Sequence, residues 1–330
     1  MYKSNQRDRV AIAIATIILL LLSIIVVAAQ DNKLPTEVII ERQGLAPEGV
    51  EWDALNERFI VGSMTEGTVF TVNDDGEITP FIENDSFIST VGIEVDFDNE
   101  RVLVVNADLT AFFDPSLQGL AALGAYDLTT GEEIFYTELN DLNSSEDARF
   151  LANDVAVDPD GNAYVTNSFA PEIYVVDPYG NASVLISDER LISDFLGLNG
   201  IVYHEDGYLL VTVTGGAELY KIPVDAPENM TQVEVDIPFG ADGMMLLEDG
   251  RLIAVADYFD VEASELVSAV IAVGSDDGWE TATLLETVPD DGIATTATVR
   301  QETIYIINAY LNDLEATQYE IKQVNFNYEE

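Results

Sequence analysis

The chain contains no cysteine, one histidine and four lysines. Without cysteine there is no disulfide, no thiolate nucleophile and no sulfur-ligated metal. With His204 as the one imidazole, a zinc site is disfavoured. Positive charge is scarce too: 13 basic residues face 61 acidic ones, for a formal net charge of −48. Such a surface repels nucleic-acid phosphate, so nucleic acid is not an expected partner. After the first thirty residues no long helical period of apolar residues occurs, which excludes helical repeats.

What remains is still a folding sequence. A 48% hydrophobic content rules out disorder and leaves a strongly hydrated, self-repelling surface around an apolar interior. Salt would screen that repulsion, which is compatible with a saline habitat. At the N-terminus, Lys3, Arg7 and Arg9 precede an uncharged run from Val10 to Ala29. Its length suits one apolar membrane-spanning helix, with the basic flank cytoplasmic and the rest outside. Val27-Ala28-Ala29 resembles a signal-peptidase site, so residues 1–30 read either as a retained anchor, the favoured reading, or as a cleaved signal peptide. Export follows in both cases: the protein is expected at the outer face of the cytoplasmic membrane or secreted.

Three segments share one phrase: NDVAVDPDG from Asn153, NGIVYHEDG from Asn199 and DGMMLLEDG from Asp242. Each runs from a carboxamide or carboxylate through a short apolar strand to an Asp-Gly turn. A period of roughly 45 residues with strand–turn–strand units inside it marks a β-propeller. Weaker copies open at Glu48, at Val91 and near Ala294 or Thr295. The second strands are expected at Phe59–Ser63, Val102–Asn106, Ala163–Asn167, Leu209–Val213, Leu252–Ala256 and Ile304–Asn308. The fold class is therefore all-β, a six-bladed β-propeller over 44–330. Residues 31–43 form a linker and a strand, TEVIIE (Thr36–Glu41), that adds to the sixth blade and closes the ring.

The inner strand of each blade follows the propeller axis, so matching positions at its start form a ring around one mouth of the channel. Four of the six opening residues are oxygen donors: Glu48, Asn153, Asn199 and Asp242. Two carboxylates and two carboxamides suit a hard divalent cation, Ca²⁺ before others. Turn formation is the bland alternative for Asn-Gly and Asp-Gly, but the downstream Asp-Gly pairs already fill that role. His204 sits beside a hairpin turn and reads as a surface residue.

PEGVEWD (Pro47–Asp53), ANDVAVDPDGNAYVTNS (Ala152–Ser168), LNGIVYHEDG (Leu198–Gly207) and GADGMMLLEDG (Gly240–Gly250) resemble the senescence-marker-protein/gluconolactonase family, which includes diisopropyl-fluorophosphatase-like enzymes. The resemblance spans about residues 44–326. It implies that Glu48, Asn153, Asn199 and Asp242 coordinate Ca²⁺ or a similar ion. It also implies hydrolysis of lactones or phosphoesters, with the metal polarising the substrate and Asp242 as base or nucleophile. Met245 stands where some phosphotriesterase-type relatives carry a further carboxylate, which argues against a second metal in the channel. No histidine is available for the base role found in paraoxonase-like propellers.

Insertions follow the second strand at Ala107–Ala125, Asp257–Ser268 and Ala309–Gln318, on the ring's side of the molecule. Their aromatics Phe112, Phe113, Tyr258 and Phe259, with Phe169, are expected either to line a substrate pocket or to pack the loops down. Asn106, Asn167 and Asn308 end second strands near the same mouth and are secondary site candidates. The expected partner is a small-molecule lactone or ester, plus a membrane through residues 10–29 if they are retained. The alternative function is a non-catalytic extracellular propeller that binds a ligand or protein and uses Ca²⁺ as a structural pin.

Overall fold

Short β-branched and aromatic runs separated by turn residues give twenty-four strands, numbered β1–β24 in chain order. The computed structural model describes residues 33–327, except 144, 146, 261–264 and 314, and except the side chains of 257–260 and 265–267. The apolar run 10–29 lies outside the described residues. Among the described residues no helix is long and apolar enough to cross a membrane.

The strands form six antiparallel blades of four. Blade one is β2 (Val50–Asp53), β3 (Arg58–Val61), β4 (Thr68–Val72) and β5 (Ile78–Glu83). Blade two is β6 (Ser89–Asp96), β7 (Arg101–Ala107), β8 (Gly119–Asp127) and β9 (Glu133–Glu138). Blade three is β10 (Phe150–Val157), β11 (Ala163–Asn167), β12 (Glu172–Val176) and β13 (Ala182–Ser187). Blade four is β14 (Leu198–His204), β15 (Tyr208–Val213), β16 (Glu218–Pro223) and β17 (Thr231–Val235). Blade five is β18 (Ala241–Leu246), β19 (Leu252–Asp260), β20 (Glu265–Gly274) and β21 (Thr281–Asp290). Blade six is β22 (Ala294–Arg300), β23 (Thr303–Asn308) and β24 (Gln318–Val324), completed by β1 (Glu37–Glu41). The N-terminal strand pairs with β24 from Glu37↔Lys322 to Glu41↔Gln318, so the ring is fastened by chain ends far apart in sequence.

The apolar core is divided among the blade interfaces rather than gathered at the centre. Ile60 and Val69 of blade one meet Val95 and Val104 of blade two. Leu103 and Leu123 meet Val155 and Tyr174 of blade three. Tyr164 and Ile173 meet Val211 and Tyr220 of blade four. Leu210 and Leu219 meet Met244 and Ile271 of blade five. Ile253 and Val270 meet Ala297 and Ile306 of blade six. Tyr305 and Tyr319 of blade six return to Phe59 and Phe70 of blade one. Each buried aliphatic or aromatic side chain here contributes about 1.5–3 kcal/mol of transfer free energy. Carboxylates and carboxamides stand on the axis, beside apolar side chains such as Met245 and Val202.

The inner-strand hairpins turn as expected at Asp-Gly, with Gly161, Gly207 and Gly250 at φ 82°, 85° and 84°. Blades one and two place Glu57 and Glu100 at positive φ in the same turns. There the turns are fastened electrostatically. Arg58 Nε reaches Asp53 Oδ2 at 2.9 Å, and Arg101 Nε reaches Asp96 Oδ2 at 2.8 Å. Each arginine also crosses to the next blade, donating to Leu128 O and Gly161 O respectively. In blade five, β19 and β20 remain paired out to Asp260↔Glu265. The segment anticipated as a loop is thus a hairpin extension, consistent with its β-branched and aromatic composition.

The Asp96–Arg101 pair is 3–4% exposed, so removing one partner strands a buried charge. Asp96→Ala should lower unfolding stability by ~3 kcal/mol or more. Glu66→Ala, which breaks the more exposed Arg42–Glu66 pair, should cost at most about 1 kcal/mol. Denaturant titration of both variants compares the two.

Candidate metal centre

Five of the six inner strands, all but that of blade one, enter the channel through a register shift beside the opening position. The pairing slips between Thr90 and Ile93, Ala152 and Val155, Leu198 and Ile201, Ala241 and Met244, and Ala294 and Thr296. Such bulges re-aim side chains. The residue after the opening position is glycine in four blades because neighbouring strands nearly touch there. A Cβ on Gly200 would lie 2.2 Å from Asp242 O, and one on Gly92 would lie 2.6 Å from Asn153 O. Between blades six and one, Thr295 Oγ1 donates to Glu48 O at 2.7 Å. The opening residues therefore stand on a continuous ring of backbone.

Glu48, Asn153 and Asn199 are 7%, 8% and 2% exposed, and Asp242 is partly buried. Their polar atoms are sorted by the neighbours. Asn199 Nδ2 donates to Asp242 Oδ1 at 2.9 Å. A carboxylate only accepts, so this contact fixes the amide with Oδ1 turned away from Asp242. Ser168 Oγ donates its proton to Leu198 O at 2.7 Å and accepts from Asn153 Nδ2 at 3.0 Å. That fixes the second amide. The outcome is three buried oxygens without a hydrogen-bond partner: Glu48 Oε2, Asn153 Oδ1 and Asn199 Oδ1. Buried acceptors left in this state cost free energy unless something positive completes them. The donor set is all oxygen, which fits a hard divalent cation. Among the described residues no three Asp, Glu, His or Cys side chains group closely enough to hold a metal. Two of the four donors here are carboxamides.

The charge on the axis continues below the ring. Glu48 is held well above the usual glutamate range by burial first, then by the charges of Asp242 and Asp154. Asp154 replaces the ring glycine in blade three. Burial raises it to about 7, although it accepts from the backbone N–H of Val155 and Ile201. Further along stand Glu51 and Glu94, at matching positions in blades one and two. Glu51 is raised to about 8, chiefly by burial, with Thr298 Oγ1 at 3.1 Å opposing the shift. Glu94 is raised well above its usual range by burial, Glu51, Asp154 and Asp96. These three line a cavity of about 470 Å³ with Met245, Val202 and Tyr203. This cavity opens at the mouth opposite the ring. Sequence reasoning missed Glu51, Glu94 and Asp154. The signal was present in the shared register of EGVEWD and VGIEVD, where both glutamates fall three residues after the opening position.

At the ring mouth, Phe112 stacks on Phe169 at 6.1 Å and meets Phe113 edge-on at 5.4 Å. Phe195, on the connection into blade four, meets Phe112 at 5.7 Å. The side chains of Tyr258 and Phe259 lie outside the described residues. Asn106 and Asn167 are committed to the scaffold. Asn106 Oδ1 accepts from the N–H of Ile88 and Ser89 while Nδ2 donates to Tyr136 Oη. Asn167 Oδ1 accepts from the N–H of Leu151 and Phe169, and Nδ2 donates to Tyr174 Oη. They pin the approach to the inner strands. Asn308 is fully buried against Gly292, and neither amide atom has a partner. His204 stacks on Tyr208 at 4.3 Å, at the end of its strand away from the ring.

A six-bladed propeller with an oxygen-lined axial ring defines the class. The family model for the SMP-30/gluconolactonase/LRE-like region matches residues 46–260, and the chain belongs to that family. No curated protein sequence matches the chain. Among solved structures, the major Malassezia sympodialis allergen Mala s 1 is similar, with TM-score 0.71 and 16% identity over 88% of this chain and 96% of that one. A gluconolactonase from Xanthomonas campestris gives 0.59 and 16% over 87% and 89%. A luciferin-regenerating enzyme gives 0.58 and 15% over 88% and 98%. At these identities the likeness establishes the shared fold.

The raised channel carboxylates fix the sign of a pH dependence. Glu51 binds its proton in the fold up to about pH 8 but releases it near 4.5 when unfolded. Its contribution is fully present below the unfolded value and is lost as pH rises through about 8. Protein stripped of cations should therefore lose thermal stability between about pH 5 and 8, and Glu51→Gln should flatten that decline. Melting temperatures across this range in chelator test it. A flat wild-type profile would contradict the channel electrostatics.

Proposed function

We propose that the protein is an exported, Ca²⁺-dependent hydrolase of lactones or related esters, acting at the axial ring. One observation carries the reading: Glu48 Oε2, Asn153 Oδ1 and Asn199 Oδ1 are buried without partners, with both amides oriented by neighbours. Glu48, Asn153, Asn199 and Asp242 would hold the cation, and family membership supports the assignment. Bound there, Ca²⁺ or another hard divalent ion supplies Lewis acidity to an acyl oxygen.

The remaining roles fall to the chain. Asp242, held by Asn199 Nδ2 at 2.9 Å, removes a proton from the attacking water. The water oxygen bonds to the acyl carbon, the acyl–oxygen bond breaks, and the proton passes to the leaving oxygen. A lactone plus water gives one hydroxy acid, with no other reactant needed. A carboxylate is a weak base, so activated esters and lactones suit it better than amides. Ser168 acts through Asn153 as a positioning residue. The basic and apolar N-terminal sequence supports export, by anchor or by signal.

Purified protein should hydrolyse members of a lactone and activated-ester panel, lose turnover in chelator and regain it with Ca²⁺. Asp242→Asn should lower kcat about 10²-fold or more. Full turnover in that variant removes Asp242 as the base, and turnover indifferent to chelator removes the cation.

Ser168→Ala frees the Asn153 amide to flip. By calorimetry, Ca²⁺ affinity should weaken about 10-fold or more. Unchanged affinity would show that the amide needs no such partner.

A further inference from the structure

We infer that the enzyme's substrates are uncharged lactones or esters carrying a linear alkyl chain, seated on a strip of phenylalanines that leads out of the ring. The inference rests on the hydrolase reading above and adds the substrate class. Phe169 directly follows Ser168, whose Oγ accepts from the ring amide of Asn153. Phe112 lies over Phe169 with ring planes 19° apart, and Phe195 and Phe113 abut Phe112. The strip thus begins beside the serine that holds a ring amide and continues from Phe169 through Phe112 to Phe113 and Phe195.

Its inner rings are packed and its outer ones are bare. Phe113 is 75% exposed and Phe195 70% exposed. On a surface otherwise so rich in carboxylates, two bare phenylalanines flank Phe112, and contiguous exposed apolar patches mark places where something apolar binds. The strip is also rigid. The Arg149 guanidinium lies 4.2 Å above the Phe169 ring and donates to the carbonyls of Ala111 and Leu117, clamping the turn that carries Phe112 and Phe113. Phe169 N–H is held by Asn167 Oδ1 at 3.1 Å, and Gly197 N–H by Ser168 O at 3.0 Å, which seats the connection carrying Phe195. A fixed apolar track beside a polar reaction centre favours a polar head with an apolar tail. It offers no hydrogen-bond donors or acceptors of its own from the rings, so a polyhydroxylated sugar lactone would be desolvated there without compensation.

The test is a series of γ-lactones from γ-butyrolactone to γ-dodecanolactone, assayed with the Ca²⁺-loaded protein. Each added methylene should raise kcat/KM about 3- to 4-fold until the strip is covered. Phe195→Ser and Phe113→Ser should lower the ratio of longest to shortest substrate by about tenfold. Tyr179→Ser, on the β12–β13 turn at the far mouth, should leave that ratio unchanged. A flat series in an active enzyme overturns the alkyl-chain assignment and leaves the hydrolase reading standing. So does a slope indifferent to both phenylalanine variants. If no lactone is turned over, the hydrolase reading fails by itself and calorimetry with γ-dodecanolactone still decides the strip. Binding lost in Phe195→Ser supports it, and absence of binding overturns it. Association with phosphatidylcholine vesicles that depends on Phe113 and Phe195, together with a flat series, would assign the strip to a lipid surface and overturn the proposal.

Discussion

Like charges brought together on one axis are the constraint from which the other features follow. A propeller aims the inner strand of every blade at the same line, so whatever stands at a repeated position meets its own copies there. In this chain the positions hold Glu48, Glu51, Glu94, Asp154 and Asp242. Burial penalises their ionised forms first, and the like charges beside them add to that penalty. Burial holds Glu48, Glu51, Glu94 and Asp154 above their ordinary range, and neighbouring carboxylates raise the three glutamates further. The blade interfaces supply the stability that tolerates this, because the buried apolar clusters lie between blades.

The fold was legible because a propeller repeats its punctuation. Asp160-Gly161, Asp206-Gly207 and Asp249-Gly250 announce three hairpins, and the second strands follow each at a fixed interval. The closing strand was legible as well, since Glu37–Glu41 precedes the first blade and has no partner of its own in the repeat. Less visible were features that break the repeat. Asp154 sits where four other blades carry glycine, and nothing in its local sequence separates a channel carboxylate from a turn residue. Phe195 belongs to a connection whose length differs from blade to blade, so no register pointed to it. Asn106 and Asn167 share the ring mouth, yet their amides are consumed by the N–H groups of the arriving strands, a long-range pairing that single-sequence reasoning does not resolve. The blade-five hairpin extends because strand propensity continues past the blade, where spacing alone suggested a loop.

Surface and axis use acidity differently. On the outside, carboxylates are spread over hydrated surface, where salt screens them within a Debye length of about 10 Å at 0.1 M. Inside the channel salt screens far less, and the same residue type favours its protonated form or a counter-charge. The few arginines are placed where they do the most against this background. Arg58 and Arg101 tie successive blades at the far mouth, Arg149 clamps the phenylalanine strip, and Arg300 lies 3.9 Å over Trp52 while pairing with Asp74.

The composition of the ring follows from the same electrostatics. Four carboxylates at the four donor positions would carry two more negative charges than a divalent ion neutralises, in a place where Glu48 already feels Asp242 and Asp154. Two carboxamides keep the oxygen count and halve the charge. They carry a risk, because an amide has two faces and only one can ligate a cation. Asp242 removes that choice for Asn199 by accepting from its Nδ2, and the Leu198 carbonyl removes it for Asn153 at one remove, by taking the Ser168 proton. The second lock crosses from blade three to blade four, and the first from blade four to blade five. The orientation of both amides is therefore set by the neighbouring blade, and the proposed cation site is complete only once adjacent blades have packed.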